Sequence, residues 1–269
     1  MNELTTKQKL SELLQNCGPV ISANNLIEIF SITNIAASQL LARWKKQGWV
    51  ERIKQGIYII LPIEIDANLH SIEDPYILIP KLFGKNSYIG GYSAAAYWGL
   101  TEQIFCDICV VVTQPIKRKI NKITNINFIL TKISYNHSYG TKIIIRNEEQ
   151  ILISDPTKTI IDMLATPTIG GGINHVAECF HTYLFSKYFD HDLLIKYASN
   201  YSNNAIFKRM GYLSSIILGQ DNQISIECTK HLSKGNAQLD PANKGKTLIT
   251  KWKLFIPFNF NINIDNKIR

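Results

Sequence analysis

Asn34, Ser38, Gln39, Arg43 and Lys46 recur along one short segment at intervals that a helix brings onto or near a single face. These residue types read and hold nucleic acid. A Gln amide can pair with adenine through both of its groups, Arg can take guanine or phosphate, and Ser permits close approach. Just downstream, Arg52, Lys54 and Gln55 lie on a hairpin-like segment and could grip the neighbouring backbone or minor groove. A second basic run, Gln114-Pro115-Ile116-Lys117-Arg118-Lys119 with Lys122, follows a strand and could make further nucleic-acid contacts, as could Lys230, Lys234, Lys244, Lys246, Lys251 and Lys253 near the end. The bland alternative for all of these is charge that only solvates a surface, or a module that binds protein.

Other constellations carry less. Cys106 and Cys109 form one Cys-x-x-Cys, and a structural zinc site needs two more ligands; His175, Cys179 and His181 are the nearest candidates. The pair opens a strand, where residues three apart face opposite sides, so buried thiols and no metal are expected. Gly91-Tyr92-Ser93-Ala94-Ala95 superficially resembles a nucleophile elbow, but His137, His175, His181 and His191 stand in no recognisable triad context, which leaves Ser93 as a helix cap. Gly170-Gly171-Gly172 lacks the Gly-Lys-Ser/Thr of a phosphate loop and reads as a flexible connection. Asp155 and Asp162 lie about two helical turns apart; a capping Asp155 and a partly exposed Asp162 account for them without catalysis. No cofactor is implied.

The elements that must position the first set follow from periodicity and caps. Thr6 can cap a helix carrying Leu10, Leu13 and Leu14, stopped by Gly18-Pro19; Val20-Ile21 is a short extended piece. Ser22 caps a second helix striped by Leu26, Ile27, Ile29 and Phe30. Thr33 or Asn34 caps a third, which runs to about Gln47, buries Ala37, Leu41 and Trp44, and ends at Gly48. Strands Trp49 to Ile53 and Ile57 to Leu61 flank a turn, and Pro62 closes the unit. That order is a winged helix-turn-helix, whose third helix enters the major groove.

Beyond Pro62 the pattern is mixed α/β. A connector with one helical turn near Pro75 to Phe83 leads to a strand at Tyr88-Ile89 and a compact helix at Ala94 to Trp98. Strands are expected at Ile108 to Thr113, Ile126 to Leu130, Lys142 to Arg146 and Gln150 to Ile153. Helices follow at Asp155 to Leu164, Asn174 to Ser186, Asp190 to Ser199 and Ala205 to Leu218, then an extended run Thr247 to Ile256. The expected architecture is therefore α/β in the mixed α+β sense: a winged helix-turn-helix at 1–62 and a larger mixed domain at 63–269.

Charge supports this division. Residues 1–62 hold seven basic and four acidic side chains, residues 63–228 hold 14 and 15, and residues 229–269 hold eight and two, within a chain of 269 residues and net charge +8. A basic head and tail flank a nearly neutral middle, which suits a polyanionic partner better than uniform stickiness. The chain is 45% hydrophobic and 19% charged, so it can bury a core and is not disordered. No apolar run reaches the ~18 residues of a membrane span and no secretion signal precedes the first helix, so a cytoplasmic location is expected, in keeping with five sparse cysteines.

From the wing onward the chain resembles the AbiEi-type regulators, the antitoxins of type IV toxin–antitoxin systems. The resemblance rests on Trp49-Val50-Glu51-Arg52-Ile53-Lys54-Gln55-Gly56-Ile57-Tyr58 and, more specifically, on the stretch from Tyr88 through Gly90-Gly91-Tyr92-Ser93-Ala94-Ala95-Ala96-Tyr97-Trp98-Gly99-Leu100-Thr101 to Gln103. Ser154-Asp155-Pro156-Thr157-Lys158-Thr159-Ile160-Ile161-Asp162-Met163-Leu164 with the later Gly170-Gly171-Gly172, and Lys251-Trp252-Lys253-Leu254-Phe255-Ile256-Pro257, are similar as well. The resemblance implies a cytoplasmic bacterial or mobile-element autorepressor, not an enzyme, that binds repeated sequences in its own promoter. It further implies that the second domain counteracts a separately encoded nucleotidyltransferase toxin without forming a stable complex. It gives Arg52 and Lys54 a DNA-contact role and the Tyr88 to Gln103 motif a role in the fold. A stand-alone regulator, a DNA-targeted nuclease and a pure protein-interaction module are the alternatives; a nuclease would need a carboxylate cluster with a metal.

Overall fold

The computed structural model describes residues 4–61, 74–116, 120–123, 126–134, 139–201 and 203–262. Its first unit comprises α1 (Thr6–Cys17), β1 (Val20–Ser22), α2 (Ala23–Phe30), α3 (Asn34–Lys46), β2 (Val50–Lys54) and β3 (Ile57–Ile60). The cap of α1 is Thr5, one residue before the expected Thr6, because Gln8 closes a capping box with it: Thr5 N donates to Gln8 Oε1 at 2.8 Å. At α2, Asn25 Oδ1 accepts from Ser22 N at 2.8 Å and holds the entry turn. Thr33 decides the start of α3, where its Oγ1 accepts from Ala36 N at 3.2 Å. The chain leaves α3 through Gly48 at φ 77°, a left-handed conformation that costs glycine little.

The three strands pair antiparallel in the order β1-β3-β2, with Val20 opposite Ile59 and Arg52 opposite Tyr58. Leu10, Leu13, Leu26, Ala37, Leu41, Trp44, Val50 and Ile60 form the core beneath them. Element order and pairing are those of a winged helix-turn-helix. The expected boundary at Pro62 lies outside the described residues.

The larger unit opens with a 3-10 turn, Pro75–Ile77, and α4 (Leu78–Phe83), followed by β4 (Tyr88–Ile89) and α5 (Gly91–Tyr97). Next come β5 (Ile108–Val112), β6 (Ile120–Ile123), β7 (Ile126–Lys132), β8 (Thr141–Arg146) and β9 (Glu149–Ser154). They form a mixed sheet in the order β6-β7-β5-β4-β9-β8, parallel where β5 meets β7 and where β4 meets β9. After it come α6 (Pro156–Ala165), which packs on the sheet, α7 (Ile173–Leu184), α8 (His191–Asn200) and α9 (Ala205–Ile217), which pack on α6, and α10 (Gln223–Lys230), which packs on α9. A small sheet of β10 (Ala237–Gln238), β11 (Thr247–Ile249) and β12 (Leu254–Ile256) closes the chain in the order β10-β12-β11. Every residue of α6 is buried, so this helix is the hub of the helical layer.

Several expectations change. The run Thr247 to Ile256 is two strands that fold back antiparallel around a 3-10 turn, with Lys253 at φ 52° making the reversal. β6 and α10 add an edge strand and a helix that weak apolar periodicity concealed. The Gly170-Gly171-Gly172 segment is a packed turn and not a flexible link: Gly170 lies so close to Val176 that a Cβ would collide with it, and Met163 presses on the same spot.

The two units share a hydrophobic cluster. Val20 and Ile59 on the wing sheet pack with Ile77, Leu78, Leu82 and Val110 of the larger unit. Burial of that strand face is the physical reason the wing lies against the second unit.

Candidate nucleic-acid interface

In α3, Ala37, Leu41 and Trp44 face the core and are at most 1% exposed. Helical geometry then turns Ser38, Gln39, Arg43 and Lys46 to the opposite side, and all four are exposed. Asn34 is exposed in the first turn, beside Ser38, whose Oγ lies 3.5 Å from Asn34 Oδ1. The structure therefore brings the five helix residues onto one continuous surface. Lys45 adds a further exposed charge in the last turn.

Two residues on this surface were not singled out by residue type. Ile35 is 73% exposed, and Ala42 is exposed on the same outer stripe as Gln39 and Lys46. Apolar side chains of this kind contact the thymine methyl group in a major groove. The signal was present in the sequence: Ile35 falls opposite Ala37, Leu41 and Trp44 in the helical period, where a large aliphatic residue has no packing partner.

The wing residues divide. Gln55 is exposed at the β2–β3 turn, and Arg52 is exposed with its Nε 3.4 Å from the Lys54 carbonyl oxygen, folded along its own strand. The register shift between Arg52 and Lys54 turns the strand at this point. Lys54 Nζ donates to the Leu82 carbonyl oxygen at 3.0 Å, at the end of α4. The ammonium that the resemblance assigned to DNA is thus engaged in holding the wing to the second unit.

Of the second basic run, Lys117, Arg118 and Lys119 lie outside the described residues. Lys122 is exposed on β6, so it belongs to an edge strand and not to the turn expected for it.

Elsewhere the structure revises the assignments made to polar residues. Ser93 does not cap α5, which starts at Gly91 with Gly90 before it; the buried Ser93 Oγ instead accepts from Cys109 N at 2.9 Å, tying helix to strand. Asp162, expected to be partly exposed, is buried within the hub helix and paired with Lys158, while Tyr88 Oη donates to its Oδ2 at 2.8 Å. Burial raises the Asp162 carboxyl above its ordinary range, and the Lys158 ammonium opposes that rise. The Lys158 Nζ also sits over the rings of Tyr201 at 4.8 Å and Tyr139 at 5.0 Å.

Asp155 does cap α6, accepting from Lys158 N at 2.8 Å, and it receives Tyr197 Oη at 3.0 Å. Both aspartates are therefore held by local partners. Cys109 is buried with its thiol raised to about 12 by burial, but Cys106 is exposed, so only one of that pair is the buried thiol expected. His175 contacts Thr101 Oγ1 at 2.8 Å and the Gly170 carbonyl oxygen at 2.6 Å. Among the described residues no three His, Cys, Asp or Glu side chains converge on a metal position.

The motifs Tyr88 to Gln103 and Ser154 to Leu164 meet in space. Trp98 Nε1 donates to the Ser154 carbonyl oxygen at 2.7 Å, and Tyr88 reaches Asp162 as described. Their residues knit the sheet to the hub helix.

Comparison with known proteins gives a fold. No family model matches the chain, and no curated protein matches it. Among solved structures, the chain is similar to the crystal structure of the RV2827C protein from Mycobacterium tuberculosis, with a TM-score of 0.62 over 95% of this chain and 93% of that one. The likeness is one of fold, at 13% sequence identity. It extends across both units. Among the described residues no helix is long and apolar enough to cross a membrane.

Proposed function

We propose that this chain is a sequence-specific DNA-binding autorepressor of the cytoplasm, and that it acts as the antitoxin of a type IV toxin–antitoxin pair. The observation that carries the DNA-binding half is the exposed outer face of α3, where Asn34, Ser38, Gln39, Arg43 and Lys46 stand together on a helix anchored by Ala37, Leu41 and Trp44. The excess of basic over acidic residues in 1–62 supports it.

In this reading α3 occupies the major groove of operator DNA. Arg43 and Lys46 neutralise phosphates and release counterions, while Asn34, Ser38 and Gln39 meet base edges and Ile35 meets a methyl group. Arg52 and Gln55 lie along the flanking backbone. Lys54 acts indirectly, by fixing the wing against α4. Each good base contact contributes on the order of 1 to 3 kcal/mol of discrimination.

The antitoxin half rests on the resemblance of the Tyr88 to Gln103, Ser154 to Leu164 and Lys251 to Pro257 motifs to those of AbiEi-type proteins. The proposed relation to a nucleotidyltransferase toxin is functional, without a stable complex. The chain is proposed to act without catalysis and without a cofactor. Asp155 and Asp162, the carboxylates a nuclease reading would recruit, are engaged in capping and in the Lys158 pair.

The test is binding of the purified protein to its own upstream region against a scrambled duplex of equal length, over a salt series. Preference for the native sequence at physiological salt is expected, with Gln39→Ala and Arg43→Ala each weakening it. Equal, steeply salt-dependent binding to both duplexes would refute specific repression. Expression of a type IV nucleotidyltransferase toxin with and without this chain tests the antitoxin half, with growth restored only in its presence.

A further inference from the structure

Phe258 is 107% exposed, more than any other large apolar side chain among those described. Pro257 is buried on one side of it and Phe260 is half-buried on the other, 6.0 Å from the Tyr212 ring. Phe260 N donates to the Pro257 carbonyl oxygen at 3.1 Å and closes the turn. A ring held out in water by an ordered turn forgoes the stabilisation its burial would bring.

The segment that runs beside this turn carries two lysines, Lys244 and Lys246. Thr247 pairs with Ile256 at the end of the β11–β12 ladder, and Gly245, two residues before it, lies against Ile256 and Pro257, so the backbone of 244–246 runs beside the turn. Gly245 makes this approach possible, since a Cβ there would collide with the Ile256 carbonyl and Pro257 N. Both lysines are exposed. Only one acidic residue, Asp240, occurs between 229 and 262, and it is buried beside Arg209. A polar cleft adjoins the turn, with Asn174, Asp240, Asn243 and Asn259 in its wall and Asn243 Nδ2 bonded to Asn259 Oδ1 at 2.6 Å.

The geometry points to a second nucleic-acid site, on the larger unit, in which a base of a single strand stacks on Phe258 while Lys244 and Lys246 take its flanking phosphates. An exposed aromatic ring with lysines nearby is the arrangement by which proteins hold single strands with little sequence preference. Bases inside a duplex have no free face to offer such a ring, so the site selects single-stranded over double-stranded nucleic acid. RNA and single-stranded DNA share this chemistry. The site is independent of α3 and stands whether or not the operator reading holds.

The experiment is fluorescence anisotropy of the full chain with labelled 12-nucleotide oligo-U and oligo-dT, at low and physiological salt, with the operator duplex measured in parallel. Phe258→Ala is expected to weaken binding of both single strands about tenfold or more, given roughly 1 to 3 kcal/mol per stacked base. Phe258→Trp should retain binding, Lys244→Ala/Lys246→Ala should flatten the salt dependence, and Arg43→Ala should leave single-strand affinity unchanged. Preference for oligo-U would identify RNA as the source, preference for oligo-dT would identify single-stranded DNA, and parity would support a site that reads only the shared base and phosphate chemistry. Absence of single-strand binding by the native chain, unchanged affinity in Phe258→Ala, or loss in Arg43→Ala equal to that in Phe258→Ala would overturn the site. Because Phe258 is fully exposed, the substitution does not disturb the core, and unchanged thermal unfolding would verify this.

Discussion

Asn34 and Ser38 in α3, and Lys158 and Asp162 in α6, are polar pairs four residues apart on helices of similar length. In the first helix the pair looks outward from a small unit whose core takes one stripe only. In the second, the helix is surrounded by α5, α7, α8, α9 and the sheet, and its charged pair is sealed among Tyr88, Tyr139 and Tyr201. Identical spacing thus leads to a reading surface in one place and a structural network in the other. What separates them is the number of sides on which each helix is covered, because an uncovered charge is solvated and a covered one must be paired.

That contrast can be broken most forcefully at the buried pair. Asp162→Ala strands the Lys158 ammonium and the Tyr88 hydroxyl, and should cost about 3 to 5 kcal/mol in urea unfolding. A loss below about 1 kcal/mol would show that the network is not structural. Replacing both partners, Lys158→Met with Asp162→Leu, should recover much of the loss, since no unpaired charge remains.

A second effect is steric. In the same helical layer, Gly211 on α9 lies against the face of the buried Trp252, and Gly211→Ala should lower stability by about 1 to 3 kcal/mol through overpacking. Thermal unfolding reads it directly.

The α3 face should behave oppositely. Arg43→Ala and Ile35→Ser are expected to change stability by less than about 0.5 kcal/mol while lowering operator affinity by about 1 to 3 kcal/mol each. Stability loss without affinity loss would move these residues from the reading surface to the fold.

The wing gives the finest distinction. Arg52→Ala should reduce the slope of log affinity against log salt by about 1, as expected for one phosphate contact. Lys54→Ala should leave that slope unchanged and instead cost about 1 kcal/mol of stability, the usual worth of one hydrogen bond. The reverse outcome would restore the DNA-contact role to Lys54.

Much of the winged helix was legible in the chain because its signals are local. Caps, Gly48 and the three-and-four spacing of Ala37, Leu41 and Trp44 each act within a few residues, and a helix with one buried stripe repeats that stripe in its sequence. The exposure of Gln39, Arg43 and Lys46 follows from the same spacing. The larger unit was legible element by element, but its polar residues were misplaced. Ser93 resembles a cap in isolation and Asp162 an exposed helix residue; only the approach of β5 to α5 and of Tyr88 to α6 turns them inward.

By itself, the sequence determined the winged-helix order, the outward face of α3 and the basic character of both ends, since these depend on neighbours within a helical turn or on composition. Tertiary structure alone decided that Lys54 secures the wing, that Lys158 and Asp162 are paired in the interior, and that Gly245 brings the 244–246 segment against Ile256 and Pro257. Each of those rests on residues distant in the chain or on a backbone approach within the last sheet, and no local spacing encodes which surfaces will meet.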